Sequence, residues 1–296
     1  GLKQNAVPQG IGYIESLDWI IISHYLSDGR SSCLTAVDIQ TGKLVKTLWL
    51  LDENGNTFTG HVGGVCASLK HIWVASGSGL HSLLISDFIK AADNSSLKFK
   101  EYFETETRAS FASYSHSDNV VWVGEFAYYP NSGRRYETKK PHHLKNRDGK
   151  LVHGWALGYK LDPETDSLRK TQAPDYILSI PDKVQGLAFF NNFLALSTSY
   201  GRNNNSILYI HKNPLTSKPD KYEQLNGSST VPLWFIDSEN AVSKLVCPSM
   251  MEGIVLYKNK DENKLILLFE SGAEKYRATG IWPVDKTYYI DTSKLK

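Results

Sequence analysis

The sequence is poor in sulfur and contains no long apolar run. It holds three Cys and two Met among 296 residues. Cys33, Cys66 and Cys247 cannot form a disulfide framework, because an odd number leaves at least one thiol unpaired. No segment approaches the roughly 20 consecutive apolar residues that a membrane-spanning helix needs. The sequence therefore excludes a small disulfide-stapled domain and predicts no transmembrane segment.

An excess of charge of one sign is also absent. The chain carries 33 Lys and Arg against 31 Asp and Glu, which leaves a net charge of +2. A chain so balanced has no overall field that would attract nucleic acid or an anionic membrane. We expect no specific nucleic-acid partner.

Long amphipathic helical patterns are missing as well. Only "SLLISDFIKAADNSS" suggests a helical turn or two, while short β-branched and aromatic segments such as "WIIISHY", "NVVWVGEF" and "KLILLFE" recur along the chain. Gly, Asn, Asp and Pro clusters separate these segments, as in hairpin turns. The fold class is predicted to be all-β.

The strand pattern repeats five times. Each copy has a small residue, an apolar strand, a polar turn, a second apolar strand and a Gly/Ser-rich exit, and the five small residues are Gly10, Gly64, Ser113, Gly186 and Gly253. Two further strands follow most copies, and four strands in roughly 40 to 60 residues are typical of a propeller blade. We predict one β-propeller domain over residues 1–296 with five blades.

Two structural alternatives stay open at this stage. Residues 215–250 contain enough strand material for a sixth, degenerate blade. A pair of β-sandwiches would also be all-β, but sandwiches do not repeat internally.

The first strands of propeller blades line the central channel. Glycine is expected where these strands crowd around the axis, since a side chain there would collide. The alignment places Gln9, Gly63, Ala112, Gln185 and Glu252 at the channel mouth, and residues at the ends of the second strands reach the same face. A polar funnel is predicted.

The funnel residues are assigned roles by their chemistry. His61 lies two residues before Gly63 on the same strand face and is the candidate catalytic acid–base. The carboxylates Glu125, Glu252 and Glu270 are candidate ligands of a hard cation such as Ca²⁺. The candidate ligand-binding residues are Gln9, His24, Tyr25, Gln185, Tyr200, Arg202, Lys275, Tyr276 and Arg277.

One segment is locally basic. Residues 131–150 carry seven Lys and Arg against two Asp and Glu. The repeat places this insert between the second and third strands of the third blade, on the funnel side. We expect it to cover the funnel or contact an anionic ligand, with a mobile solvated loop as the simpler alternative.

The established catalytic motifs are absent: there is no Walker A loop, no G-x-S-x-G, no H-E-x-x-H and no paired C-x-x-C. Two main hypotheses follow. The first is a binding or interaction module that takes a small polar molecule or glycan in the funnel. The second is a metal-assisted hydrolase of lactones or phosphoesters. A glycosidase using Glu125 and Glu252, and a scaffold that binds a protein partner on the outer rim, are further alternatives.

The motifs "TGHVGG", "SYGRNNNS" and "MEGI" with "FESGAEKYR" resemble those of uncharacterised, often secreted bacterial proteins with a propeller-like fold. The resemblance covers most of the chain except the basic insert and residues 215–245. It implies that the three motifs share one site and that the protein is secreted or at the cell surface, although the residues leave a cytoplasmic location open. It implies no particular activity.

Overall fold

The computed structural model of the protein describes residues 4–225, 229–258 and 263–295. Five β-sheets surround a central axis as the blades of a β-propeller, which confirms the predicted fold class and the predicted number of blades. Within each blade the strands run antiparallel from the axis outward, so that the first strand is innermost.

The first two blades are built by the amino-terminal third of the chain. Blade one contains β1 to β4, at Ala6–Ile14, Trp19–Leu26, Cys33–Asp38 and Leu44–Leu51. Blade two contains β5, β6, β7 and β9, at Gly64–Ala67, His71–Ser76, Gly79–Leu84 and Glu101–Glu104. Between β7 and β9, helix α1 (Ile85–Lys90) occupies the segment predicted to be helical, and β8 (Ser96–Lys98) then pairs in parallel with β4.

The third and fourth blades follow the same plan. Blade three contains β10, β11, β14 and β15, at Phe111–Ser115, Val120–Gly124, Gly154–Lys160 and Tyr176–Ile180. The insert between β11 and β14 includes a small hairpin of β12 and β13, at Leu144–Lys145 and Leu151–Val152. Blade four contains β16, β17, β18 and β21, at Val184–Phe190, Phe193–Thr198, Ser206–Lys212 and Ala241–Cys247.

Blade five has three strands in the described part of the chain. These are β22, β23 and β24, at Met251–Lys258, Asn263–Phe269 and Tyr288–Asp291, with helix α2 (Glu274–Arg277) between β23 and β24. Short 3₁₀ turns lie at Glu15–Leu17, Lys140–His142, Pro214–Thr216 and Thr292–Leu295.

The strand material at 215–250 does not form a sixth blade. Strand β20 (Ser229–Phe235) adds in parallel to β15 at the outer edge of blade three, and β19 (Lys221–Leu225) pairs with β20. Strand β21 then returns to complete blade four beside β18. The surplus strands therefore widen existing sheets.

Glycines allow the inner strands to touch through their backbones. A Cβ on Gly64 would lie 2.1 Å from the Ala112 nitrogen, and one on Gly10 would lie 2.4 Å from the Val65 nitrogen. Gly253 is similarly close to blade one, and Gly186 to blade five. We call these four glycines, with the Ala112 backbone, the glycine ring.

The predicted alignment fails in blade three. The spacing is nine residues from Gly10 to Trp19, from Gly64 to Trp73 and from Ser113 to Trp122. Trp73 nevertheless pairs across its hairpin with Cys66, whereas Trp122 pairs with Ser113 itself. In all three blades four residues separate the last paired positions of the hairpin, but the stretch of inner strand between the axis and the turn differs in length, so equal spacing does not mark equivalent positions. Gly64 abuts Phe111 and Ala112, and Ser113 lies beyond the ring.

The propeller closes at a seam between blade five and blade one. Among the described residues, every strand of blade one comes from the first 98 positions and every strand of blade five from positions after 250. Strand β1 packs beside β22, and the Tyr13 and Tyr257 rings meet edge to face at 5.1 Å between centroids. No described strand is shared across the seam, so side-chain and backbone contacts close the ring.

Replacing Gly64 with Ala tests the glycine ring. The added methyl group has no room against the Ala112 backbone, so we expect the free energy of unfolding in urea to fall by about 3 kcal/mol or more. Gly154→Ala is the matched control, because a Cβ there meets its nearest neighbour, Ile180, at an ordinary 3.4 Å. Equal stability losses for the two variants would contradict the backbone contact.

Candidate functional site

Three inner strands carry an irregularity at the same level. The pairing register shifts between Pro8 and Ile11 in β1, between Val184 and Gly186 in β16, and between Met251 and Ile254 in β22. Gln9, Gln185 and Glu252 lie in these shifts. A β-bulge redirects a side chain out of the regular alternation, which explains how three residues that precede ring glycines meet at the funnel.

The centre of the site is a pair of carboxyl groups. Glu252 on β22 and Glu270, directly after β23, hydrogen-bond to each other. The Gln185 amide donates to Glu252 Oε1 over 3.1 Å, and the Gln9 amide donates to Glu270 Oε2 over 2.9 Å. Blades four, five and one thus contribute to a continuous polar chain, which we call the acid pair with its two glutamines.

Burial and mutual repulsion keep a proton on the acid pair. The pKa of Glu252 is well above its usual range because the side chain is buried and because the Glu270 charge lies beside it. Burial raises the pKa of Glu270 to about 7, although Gln9, Glu252, Lys275 and Arg202 all favour its ionised form. Near neutral pH the pair therefore carries at most about one negative charge, as expected for two carboxyls that cannot both ionise at close range.

Aromatic and cationic side chains form the rim above the acid pair. The Tyr25 and Tyr276 hydroxyls lie 3.0 Å apart, and Lys275 Nζ donates to the Tyr25 hydroxyl over 3.0 Å. The Arg202 guanidinium lies 5.0 Å from the centre of the Tyr276 ring and donates to Thr279 Oγ1 over 2.6 Å. The rim thus links blade one, the β17–β18 loop of blade four and helix α2.

His61 stacks on the rim. Its ring lies 4.8 Å from the Tyr25 ring at an interplanar angle of 27°. The imidazole is exposed at the funnel. Partial loss of hydration against the surrounding walls lowers its pKa, and the charges of Lys275 and Arg108 lower it further. His61 is therefore mostly neutral near pH 7, and its acid–base role stays a prediction.

His24 does not face the funnel with Tyr25. Successive residues of a strand point to opposite faces, and the His24 Nε2 atom lies 2.9 Å from the Thr35 hydroxyl on β3. Burial lowers the pKa of His24 to about 3, so the imidazole is uncharged. The prediction of a ligand-binding role for His24 is not supported by this position.

Glu125 is engaged by the insert rather than by the other two carboxylates. It is buried at the end of β11, where His142 Nδ1 lies 2.8 Å from its Oε2 atom and the Trp155 backbone N–H donates to the same oxygen over 3.0 Å. The His142 ring also stacks on Trp155, 4.0 Å between centroids. These contacts fix the insert to blade three.

The predicted three-glutamate metal site is not assembled. Within residues 4–225, 229–258 and 263–295, no group of three or more His, Cys, Asp and Glu side chains is arranged to hold a metal ion. Glu252 and Glu270 are together, but Glu125 is paired with His142 instead. The structure therefore gives no support to Ca²⁺ binding by this set.

The remaining predicted ligand-binding residues divide between two places. Tyr200 belongs to an aromatic cluster at the insert, with its ring 3.8 Å from that of Tyr128 and 6.3 Å from that of Tyr136. Arg277 lies on helix α2, where its backbone N–H bonds to the Ala273 carbonyl. Neither is in direct contact with the acid pair among the described interactions.

Two cations of the basic insert are neutralised by nearby carboxylates. Lys139 pairs with Glu106 at 2.8 Å, and Arg147 pairs with Asp237 at 2.7 Å and with Asp220 at 3.1 Å. The insert follows β11 on the funnel side, as predicted. Two of the seven Lys and Arg side chains of the insert thus hold it to the propeller.

Sequence reasoning missed several residues that shape the site. Ser23 on β2 donates to the Val62 carbonyl, and Ser197 on β17 donates to the Glu252 carbonyl, 2.8 and 2.7 Å respectively. Both serines tie one blade to the next at the level of the funnel. The signal was a serine inside an otherwise apolar second strand, which occurs in both copies.

Comparisons with known proteins support the fold. No protein-family model and no curated protein matches this chain. The GH43 β-xylosidase/α-arabinofuranosidase CoXyl43 from a compost metagenome, solved with xylotriose, superposes with a TM-score of 0.51 at 7% identity over 98% of this chain and 92% of its own. A GH43_1 enzyme from Xanthomonas citri gives 0.49 at 7% identity over 97% and 88%. Glutaminyl cyclase from Myxococcus xanthus gives 0.42 at 9% identity over 97% and 92%.

At such low identity the likeness establishes the propeller and nothing of its site. In the described part of the chain, no helix is long and apolar enough to cross a membrane.

Stability should depend on pH through the acid pair. A carboxyl whose folded pKa is raised stabilises the fold below its unfolded pKa, and that stability is lost as the pH rises through the folded value. Between pH 5 and 8 we expect the free energy of unfolding to fall by on the order of 2 to 3 kcal/mol. Glu252→Gln should flatten this slope, because Glu270 then ionises without a neighbouring charge.

Urea unfolding at both pH values, with the exposed Glu101→Gln as control, checks this expectation. A slope that is the same in the wild type, Glu252→Gln and Glu101→Gln would contradict the coupling of the pair.

Calcium should not stabilise the protein. Because the three glutamates do not converge, Ca²⁺ or a chelator at pH 7 should leave the melting temperature within about 1 °C of the untreated value. Differential scanning calorimetry on protein purified without chelator makes the measurement. A calcium-dependent rise that disappears in a Glu252→Gln, Glu270→Gln double variant would restore the metal hypothesis.

Proposed function

We propose that the funnel binds a small, neutral, hydroxyl-rich molecule of the carbohydrate class. The observation that carries the proposal is the hydrogen-bonded Glu252–Glu270 pair, flanked by two glutamine amides and bordered by tyrosine rings. The proton of the pair lies in its mutual hydrogen bond, so the remaining carboxyl oxygens accept hydrogen bonds, while the second N–H of the Gln185 amide and the Lys275 ammonium group of the rim donate. Hydroxyl groups of a sugar match such a mixed set.

The charge balance of the site is compatible with a neutral ligand. The acid pair carries at most about one negative charge, and the two cations Lys275 and Arg202 lie close enough to lower the pKa of Glu270. The small positive excess belongs to the rim, so an anionic group would still meet the ionised pair, and a cationic ligand would be repelled by the rim. The rings of Tyr25 and Tyr276 add the flat amphipathic surface on which sugar rings pack.

A hydrolase is the second candidate, and the geometry of the acid pair disfavours its glycosidase form. Glycosidase carboxyls stand about 5 Å or more apart, so that a sugar carbon or a water fits between them. Glu252 and Glu270 hydrogen-bond directly, and Glu125 is occupied by His142. A metal-assisted lactone or phosphoester hydrolase would need the ligand set that is not assembled here. Binding is therefore the better-supported function.

The location and outer-rim partner of such a module stay predictions. A secreted or cell-surface protein would meet glycans in its surroundings, which agrees with the proposed ligand class. Exposed apolar side chains occur on outer strands, for example Val246 on β21 and Tyr289 on β24. They provide candidate positions for a protein contact on the rim.

Removing one rim hydroxyl should weaken binding. Tyr25→Phe deletes the oxygen that Lys275 and Tyr276 share, which costs about one net hydrogen bond in the bound state and should raise Kd roughly tenfold. Isothermal titration with a panel of neutral mono- and oligosaccharides, including xylose and xylotriose, makes the measurement.

Tyr114→Phe is the matched control, because Tyr114 lies beyond the glycine ring and donates to Asn119. Sugar binding that both variants weaken equally, or a panel in which no sugar binds, would contradict the proposal.

A further inference from the structure

Three tyrosines lie side by side where the insert meets blade four, and we call Tyr128, Tyr136 and Tyr200 the tyrosine cluster. The Tyr128 and Tyr200 rings are 3.8 Å apart between centroids, and the Tyr136 ring meets the Tyr200 ring edge to face at 6.3 Å. The backbones of Tyr128 and Tyr136 also pair as an isolated antiparallel bridge. The cluster is therefore held in place by backbone and ring contacts.

The hydroxyl groups of the cluster are available to a ligand. Each tyrosine is half-buried, and within the ranges that the structure describes none of the three hydroxyls bonds to protein. Tyr129, in contrast, accepts from the Thr138 backbone N–H over 2.8 Å. Burial raises the pKa of Tyr200, and the nearby Tyr128 and Tyr136 raise it further. Three phenol groups, each able to donate and accept, therefore lie close together.

Two cations adjoin the tyrosine cluster, and neither forms an ion pair with a described residue. The Arg134 guanidinium lies 4.7 Å from the centre of the Tyr136 ring, and Lys183 Nζ lies 5.2 Å from that of Tyr128. Both side chains are exposed. The carboxylate next to Lys183 in sequence, Asp182, is already held by a histidine at 2.9 Å. The cluster thus offers positive charge to an anionic group.

The packing of the rings disfavours a ligand that stacks. A nucleobase binds by covering an open aromatic face. The Tyr128 ring is covered by Tyr200 and approached by Lys183, and the Tyr136 ring is approached by Arg134 and by the edge of Phe126 at 5.1 Å. Ring edges and hydroxyl groups remain, and these suit hydroxyl and carboxylate oxygens.

Two short segments join the tyrosine cluster to the funnel. Tyr200 and Arg202 are two residues apart in the β17–β18 loop, and Arg202 contacts the rim at Tyr276. Lys183 and Gln185 are also two residues apart, and Gln185 donates to the acid pair. Two residues span at most about 7 Å. A sugar unit in the funnel would therefore have the cluster beside it.

We propose that the tyrosine cluster, with Arg134 and Lys183, binds the carboxylate of an acidic oligosaccharide in which a uronic acid adjoins the neutral sugar unit of the funnel. The two cations pair with the carboxylate, and the tyrosine hydroxyls bond to its oxygens or to the ring hydroxyls. A singly charged group suits this position, because the acid pair nearby carries negative charge as well. This inference rests on the carbohydrate binding proposed above and extends it to a longer ligand.

The test compares acidic sugars with their neutral counterparts by isothermal titration at pH 7 and low salt. The matched pairs are trigalacturonate with galactotriose, and glucuronic acid-substituted xylotriose with xylotriose. In at least one pair we expect the acidic sugar to bind about tenfold more tightly or better, an advantage that high salt reduces by screening exposed charges. An Arg134→Gln, Lys183→Gln double variant should remove most of the advantage and leave the Kd of the neutral sugar within about twofold.

Two further variants separate the cluster from a general effect of charge. Tyr200→Phe keeps the ring packing and should raise the Kd of the acidic sugar roughly three- to tenfold by removing one hydroxyl. A Lys145→Gln, Lys150→Gln double variant removes the same charge from exposed positions of the β12–β13 hairpin and should change neither Kd.

Equal affinity within both pairs, or an equal loss in the two double variants, would overturn the inference. Binding of AMP that needs Arg134 and Lys183, without any preference for acidic sugars, would also overturn it. Tyr25→Phe distinguishes the two proposals. If the neutral sugar binds and Tyr25→Phe weakens it, but the carboxylate adds nothing, only the cluster assignment fails. If the acidic sugar binds through Arg134 and Lys183 regardless of Tyr25, the cluster assignment stands and the funnel proposal fails.

Discussion

The contact of backbone with backbone at the glycine ring is the constraint on which the rest of this propeller depends. Gly10, Gly64, Gly186 and Gly253 let the five inner strands approach more closely than any side chain would permit. On one side of the ring the bulged strands bring Gln and Glu side chains together, and on the other side the strands surround a cavity lined by aromatic, hydroxyl and amide side chains. One packing requirement thus produces two chemically different ends of the same axis.

Much of the fold could be predicted because its cause is local. Alternating apolar segments and turn clusters define the strands, and the repeated glycine before an apolar strand marks the axis. The nine-residue spacing from Ser113 to Trp122 gave a wrong alignment of blade three, since the inner strands differ in length between the axis and the turn while the turns themselves are equally long. The widening of blade three by β19 and β20 depends on a parallel pairing between distant strands, which no local pattern encodes.

The candidate site was predictable in part. The repeat placed Gln9, Gln185, Glu252 and Glu270 together, because the first three occupy equivalent positions in the inner strands and Glu270 follows a second strand that returns to the same face. The capture of Glu125 by His142 was not predictable, since the path of a long insert follows from tertiary contacts. Successive residues of a strand point to opposite faces, so His24 and Tyr25 at the end of β2 cannot both face the funnel.

The seam between blades five and one ties the site to the order of folding. The hydrogen bond from Gln9 to Glu270 joins residues 261 positions apart, and the one from Lys275 to Tyr25 joins residues 250 apart. Contacts so distant in sequence follow the local hairpins within blades, because the chain entropy lost in closing a long loop must first be offset. We therefore expect the funnel to be assembled by the last contacts to form, because a chain that still lacks blade five has no acid pair at all.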